Sequence, residues 1–352
     1  MSEITRRGFM VTAGSLAGGS LLGASALAGE TGSGVTPAVT LAFTEYLRFT
    51  PLATGQVKGG DLELRWIRGS RREMLDRTLS DPTVDGGEGS MLGHLLRVGQ
   101  GDRSMVAVPV FLLRNFTARD LYTLRGSELT PGDLGGRRLG IYNWAASGAV
   151  WYRHLLRFLG DDPASMEWVV GGADLPSTVI SRAPLPRNVR NAPPDQSLTD
   201  LLRAGEIDAF FAPLPPSAYH RAEGPLVRLI PEFPVLEKRY FRETGVYPPQ
   251  HVLLIKRAAW EENPSVGRSL LEIFEECETT FTAAQRLYPY ASPWMIHEVE
   301  ETELLMGPDY HSHGLAGNQA QIDTFCESAF EDGLTNRRIT AEEYFAEFLS
   351  SS

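Results

Sequence analysis

From Val39 onward, short apolar runs alternate with stretches of helical spacing. Val39 to Phe43 and Leu62 to Ile67 are short apolar or alternating segments, whereas Ser70 to Leu79 carries apolar residues at helical intervals behind a serine start. A third strand is expected to end near Gly87 to Ser90, followed by a helix through Leu92 to Val98. Met105 to Leu113 is a strongly apolar strand and Leu121 to Leu124 another. Repetition of strand, loop and helix implies βα units around a mostly parallel sheet.

The pattern then breaks and restarts. Ser127 to Gly136 (SELTPGDLGG) is rich in turn formers, and Arg138 to Tyr142 opens a second series with a helix over Ser147 to Leu159. Ala173 to Asp195 holds several prolines and no period, which predicts an exposed excursion. A helix begins at Leu198 to Leu202, and Ile207 to Phe211 is a strand. His251 to Ile255 (HVLLI) reads as a buried strand returning to the first series, and Pro264 to Leu349 reads as helices. The expected class is α/β: two lobes, residues 29–128 with 246–352 forming the first and residues 129–245 inserted as the second, with a helical C-terminal tail. In such sheets ligands lie beyond the carboxyl ends of the strands, between the lobes.

Composition narrows the partners. The chain has 352 residues, 33 Lys+Arg against 44 Asp+Glu and a formal charge of −11, with no dense cationic patch. A nucleic-acid groove needs clustered cations, so DNA and RNA are not expected ligands. Hydrophobic residues at 42% suffice for a packed core without staples. Residues 2–9 read SEITRRGF, followed by a Gly/Ala/Ser-rich apolar stretch from Met10 to Leu27 and small residues at Ala26 and Ala28. This predicts a twin-arginine export signal over residues 1–28, handled by the Tat translocase, and a periplasmic or other extracytoplasmic destination. Retention as a membrane anchor is the other reading. Cys277 and Cys326 are an even pair, read either as a disulfide or as two buried thiols.

Several segments carry a resemblance: EYLRFTPLATGQV at Glu45 to Val57, VAVPVF at Val106 to Phe111, AGEIDAFF at Ala204 to Phe211, YFRETGVYPPQHVLLIKR at Tyr240 to Arg257 and EVEETELLMG at Glu298 to Gly307. With these the chain resembles the 4,5-dihydroxyphthalate decarboxylase family, similar in fold to type 2 periplasmic solute-binding proteins. The resemblance implies an aromatic carboxylate ligand and loss of CO₂. An export signal departs from the cytoplasmic setting expected of phthalate breakdown, which keeps open a solute-binding protein passing a small carboxylate to ABC-type transporter subunits in the membrane.

Removing CO₂ from a hydroxylated ring requires protonation of the ring carbon, a place for developing charge and exclusion of water. No organic cofactor is needed, because ring hydroxyls delocalise charge. His251, at the return strand and on a matching family position, is the expected acid, with a hydrogen-bonded core histidine as its alternative. Glu88 is a second proton-handling candidate, or else a carboxylate balancing the dipole of the following helix. Arg48 and Arg114 each follow a strand and are candidate carboxylate clamps, or ordinary salt-bridge partners.

Ser90, Asn143, Trp144 and Ser147 sit at strand ends or helix starts, where free N–H groups suit an anion and Trp144 can stack on a ring; capping is the alternative for Ser147. Pro216 belongs to a Pro-rich loop that forms a cleft wall or a plain turn. His313, in PDYHSHGL, is expected to touch the ligand from a covering loop, while His94 reads as structural. His311 and His313 with Glu298, Glu300 or Asp309 would make a divalent-metal site only if a third ligand approached. No GxSxG elbow, P-loop, HExxH or CxxC pair is present.

Overall fold

The computed structural model of the protein describes residues 37–177, 185–287 and 292–351. The expected export signal and part of the proline-rich excursion lie outside these residues. Eleven strands run in chain order as β1 (Ala38–Ala42), β2 (Glu63–Ile67), β3 (Gly86–Ser90), β4 (Met105–Arg114), β5 (Leu121–Leu124), β6 (Arg138–Ile141), β7 (Glu167–Val170), β8 (Val189–Asn191), β9 (Ala209–Phe211), β10 (Leu226–Arg228) and β11 (Pro249–Lys256) among the described residues. The helices there are α1 (Thr50–Ala53), α2 (Arg71–Ser80), α3 (Met91–Gln100), α4 (Ser147–Phe158), α5 (Leu198–Arg203), α6 (Phe233–Thr244), α7 (Arg257–Glu262), α8 (Val266–Leu287), α9 (Met295–Met306), α10 (Gln319–Glu331), α11 (Ala341–Tyr344) and α12 (Ala346–Ser350). None is long and apolar enough to cross a membrane.

Two mixed sheets result, ordered β2-β1-β3-β11-β4 and β10-β5-β9-β6-β7-β8. β1 is parallel to β2 and β3, and β11 enters antiparallel between β3 and β4, so it is the returning strand its apolar run predicted. In the second sheet β9, β6, β7 and β8 are parallel, while β5 and β10 are antiparallel additions at one edge. β5, placed by the sequence boundary at 128/129 with the first lobe, pairs with β9 and β10 in the second sheet. Its chain has already crossed over at Asn115, whose N–H donates to Pro248 O at 3.0 Å, so the outgoing and returning crossovers lie side by side.

β3 (GGEGS) is a strand almost without side chains, fitted between β1 and β11. Gly87 has φ +154, and a Cβ there would stand 2.0 Å from Ala42 O, so close approach of two backbones demands glycine. Glu88 is thereby carried into the sheet fully buried.

One core cluster runs without a break from Met91 and Leu95 of α3 through Trp151 and Leu155 of α4 to Phe325 and Ala329 of α10. A second fills the opposite face of the first sheet with Phe43, Phe49, Val108, Leu253, Phe274 and Cys277. Both thiols are free and buried. The tail also ties the inserted lobe down: Arg153 Nε and Arg157 Nη2 of α4 donate to Asp332 just beyond α10, at 2.6 and 2.5 Å.

Two carboxyls beside the crossovers set a pH dependence. Burial raises Asp120 to about 6 and Glu237 to about 7, against the opposing pull of Arg119. Each binds its proton more tightly folded than unfolded. Its contribution is therefore complete below the ordinary values of 3.8 and 4.5 and is lost as pH rises through about 6 and 7. Glu237→Gln is expected to shrink the fall in melting temperature between pH 5 and pH 8, measured by calorimetry at fixed ionic strength.

Candidate functional site at the carboxyl edges of the sheets

At the carboxyl edge of the first sheet, β3 places Glu88 two residues before Ser90, the cap of α3, and β11 places His251 opposite Ser90. His251 Nδ1 lies 2.5 Å from Glu88 Oε1. The same oxygen accepts the Tyr46 hydroxyl at 2.6 Å, and Oε2 accepts Thr44 N–H at 2.9 Å. Burial alone would raise this carboxyl, but the hydrogen bond and charge of His251, with the Thr44 and Tyr46 bonds, outweigh it and hold Glu88 down at about 2. Glu88 is therefore an anion that accepts Nδ1–H. Its environment is a three-donor cage inside a strand, not the helix start that the dipole alternative supposed. The His251 side chain is 11% exposed. With Nδ1 fixed, Nε2 is its free nitrogen, an arrangement that sets tautomer and ring orientation together.

Ser90 and Ser147 meet at the junction of the lobes. Their hydroxyls are 2.8 Å apart; Ser90 Oγ accepts from Gly93 N at 3.2 Å, capping α3, and Ser147 Oγ accepts from Leu92 N at 3.1 Å. Ser147 does not cap its own helix: the N-cap of α4 is Ala146, without a side-chain bond. The starts of α3 and α4 thus converge on two hydroxyls, one of which retains a proton to donate.

Arg71, the first residue of α2 behind the capping Ser70, was not nominated from the sequence. Its charge bears on both Tyr46 and Tyr142, which stand at the ends of β1 and β6, and its Nε is buried without a hydrogen-bond partner. Burial raises both phenols, aided by Glu88 at Tyr46 and by Asp120 at Tyr142. The rule that selects residues beyond strand ends, applied to β2 as it was to β1, β3 and β4, would have brought this arginine forward together with Arg68 and Arg72.

The remaining candidates have other work. Between His251 and Leu253 of β11 the pairing on β4 jumps from Leu113 to Val108, a bulge around Pro109. Arg48 and His313 close it: Arg48 Nη2 donates to Phe111 O and Leu112 O at 2.5 and 2.6 Å, and His313 Nδ1 accepts Phe111 N–H at 3.2 Å. Arg48 also pairs with Glu278. Arg114 donates to Tyr247 O, Gln321 Oε1, Ser312 O and Asn318 Oδ1, and has no carboxylate partner among the described residues. Both arginines are buried, and burial lowers them to about 10 and about 9. Arg48 lies close enough to Glu88 to feel its charge.

Trp144, expected on a ring, is a core residue: 4% exposed, edge-on to Trp168 and covered by the Arg153 guanidinium at 4.1 Å. Asn143 folds back to accept Ala145 N–H at 2.9 Å. Pro216 is buried in a turn, its carbonyl accepting Tyr219 N–H at 2.9 Å, in the loop that leaves the carboxyl end of β9. His94 is structural as expected, bonded through Nε2 to Tyr344 O at 3.3 Å and lowered by burial to about 4. Among the described residues no three His, Cys, Asp or Glu side chains are grouped to hold a metal.

Two mixed sheets joined by paired crossovers, with an inserted second lobe and polar groups gathered at the carboxyl edges, define an α/β fold of the type 2 periplasmic-binding-protein kind. It is shared with the periplasmic sulfonate-binding protein SsuA of a sulfonate ABC transporter from Methylobacillus flagellatus KT, at TM-score 0.50 and 12% identity over 89% of this chain and 94% of that one. In sequence the chain is 26% identical over 317 residues to 4,5-dihydroxyphthalate decarboxylase of Comamonas testosteroni, covering 87% of this chain and 96% of that protein. It is 28% identical over 190 residues to the protein of that name from Pseudomonas putida, covering 51% and 72%. No family model matches. The resemblance read from the sequence is thus shown over nearly the whole chain.

Proposed function

We propose that this protein is a carboxy-lyase that releases CO₂ from a hydroxylated aromatic carboxylate of the 4,5-dihydroxyphthalate type, bound at the carboxyl edges where Ser90 meets Ser147. The buried Glu88–His251 pair carries the proposal, because it is an oriented acid with one free nitrogen. In this reading Arg71 grips a ring carboxylate, the Ser90 and Ser147 hydroxyls at two helix starts receive a second anionic oxygen, and Arg48 and Arg114 act from behind as fixed positive charge. Protonated His251 delivers its Nε2 proton to the ring carbon bearing the carboxylate. The C–C bond then breaks, its electron pair returns to the ring, and CO₂ leaves; an electron-rich hydroxyl para to that carbon spreads the charge in between. Glu88 stays ionised and stabilises the imidazolium. Two relatives bearing the decarboxylase name support the reading.

The N-terminal SEITRRGF segment supports export by the twin-arginine route to an extracytoplasmic location. It also favours the second reading, a solute-binding protein for a small aromatic carboxylate that serves a membrane transporter. Incubation with 4,5-dihydroxyphthalate separates the two. CO₂ release at a catalytic rate supports the enzyme, and saturable binding with the compound recovered intact overturns it. Arg71→Ala is expected to raise KM by about 10- to 100-fold, the value of a lost charge-assisted pair, with Arg71→Lys recovering part of it; an unchanged KM removes Arg71 from the site.

A further inference from the structure

A cavity of about 470 Å³ lies between α8 and the loop before α10 and is not lined by Ser90 or Ser147. Three buried polar atoms on its lining have no hydrogen-bond partner: Glu278 Oε2, His313 Nε2 and His311 Nδ1. The side chains of His313 and Glu278 are 0% and 10% exposed. Leaving such atoms unsatisfied is costly, so their convergence on one cavity points to a ligand.

The protonation of His313 is fixed by its other nitrogen. Nδ1 accepts the backbone N–H of Phe111, so in the neutral ring the proton sits on Nε2. That nitrogen is a donor and has no lone pair for a metal. Burial, together with Arg48 and Arg114, holds both His311 and His313 well below the usual imidazole range. Glu278 uses one oxygen on Arg48 and keeps Oε2 as an open acceptor. An anionic ligand would meet that carboxylate, and a cationic one would meet Arg48 and Arg114. The group that fits a donor and an acceptor side by side is a neutral hydroxyl. Tyr310 and His311, with ring centroids 4.8 Å apart, add aromatic wall.

We propose that the cavity bounded by Glu278, His311 and His313 binds an uncharged hydroxylated aromatic, a phenol or catechol, whose hydroxyl donates to Glu278 Oε2 and accepts from His313 Nε2–H. The site is independent of the decarboxylase reading, since it needs neither Glu88 nor His251.

Catechol alone is the probe, titrated calorimetrically into the full chain. Saturable binding is expected, with 1,2-dimethoxybenzene at least tenfold weaker because it cannot donate to Glu278. Ala283→Trp fills the cavity from an exposed position on α8 without altering the three polar groups, and it is expected to weaken catechol at least tenfold while melting like the parent. Absence of saturable binding, equal binding of the dimethoxy compound or indifference to Ala283→Trp would each overturn the proposal.

Discussion

Replacing His251 with alanine lowers turnover of a hydroxylated aromatic carboxylate by about 10²- to 10⁴-fold, the range a positioned proton donor contributes, while KM moves little. Two features of the site set this expectation. Glu88 holds Nδ1 at 2.5 Å, which leaves Nε2 as the only nitrogen able to deliver a proton. Arg71 and the paired serines lie on other elements, so binding survives loss of the imidazole. Glu88→Gln is the companion variant. It keeps the shape but removes the charge that stabilises the imidazolium, so it costs turnover of the same order. Initial rates of CO₂ release across pH measure both. Normal turnover by His251→Ala would leave the acid elsewhere and end this mechanism.

What the sequence disclosed follows from where side chains carry the signal. β4 and β11 are almost wholly buried, so their continuous apolar runs mark them directly. β3 was legible for a different reason, since its glycines flank a single carboxylate just before the serine cap of α3. β7, β8, β10 and α6 were not read. β8 and β10 are three-residue edge strands with one buried residue each, and α6, closely preceded by Pro231 and containing Pro234, buries only Tyr240. Elements that bury so little carry almost no period, and β7, which buries three of its four residues, is too short to show one.

The site divides along the same line. Glu88, His251, Ser90 and Ser147 were reachable because strand ends and helix starts are visible in one dimension. The tasks of Arg48 and His313 were not, because a β-bulge that leaves backbone groups to be satisfied from residues far along the chain leaves no local trace. Trp144 followed the strand-end rule and still proved to be core, since an indole at that position packs on Trp168 as readily as on a ligand.

Asp332→Ala carries the largest expected effect on stability. Its carboxylate is 1% exposed and receives Arg153, also 1% exposed, and Arg157. Truncation leaves a fully buried guanidinium without its counter-charge, an imbalance that costs about 3–5 kcal/mol. For a chain of this size the melting midpoint falls by roughly 10 °C. Asp332→Asn is expected to lose less, because the amide oxygen still accepts one bond. The tie also bears on function. It joins α4 of the inserted lobe to the tail beyond α10, with His154 Nδ1 to Ser328 Oγ at 3.0 Å and Trp151 Nε1 to Pro249 O at 2.6 Å beside it. Lobes fastened on this side resist the wide hinge opening by which a binding protein takes up and releases cargo. They suit an enzyme that holds water away from a protonated intermediate. Calorimetry of the two variants together with small-angle scattering tests both consequences. A melting shift under about 2 °C, or no gain in radius once the tie is cut, would show that the closed arrangement is held elsewhere.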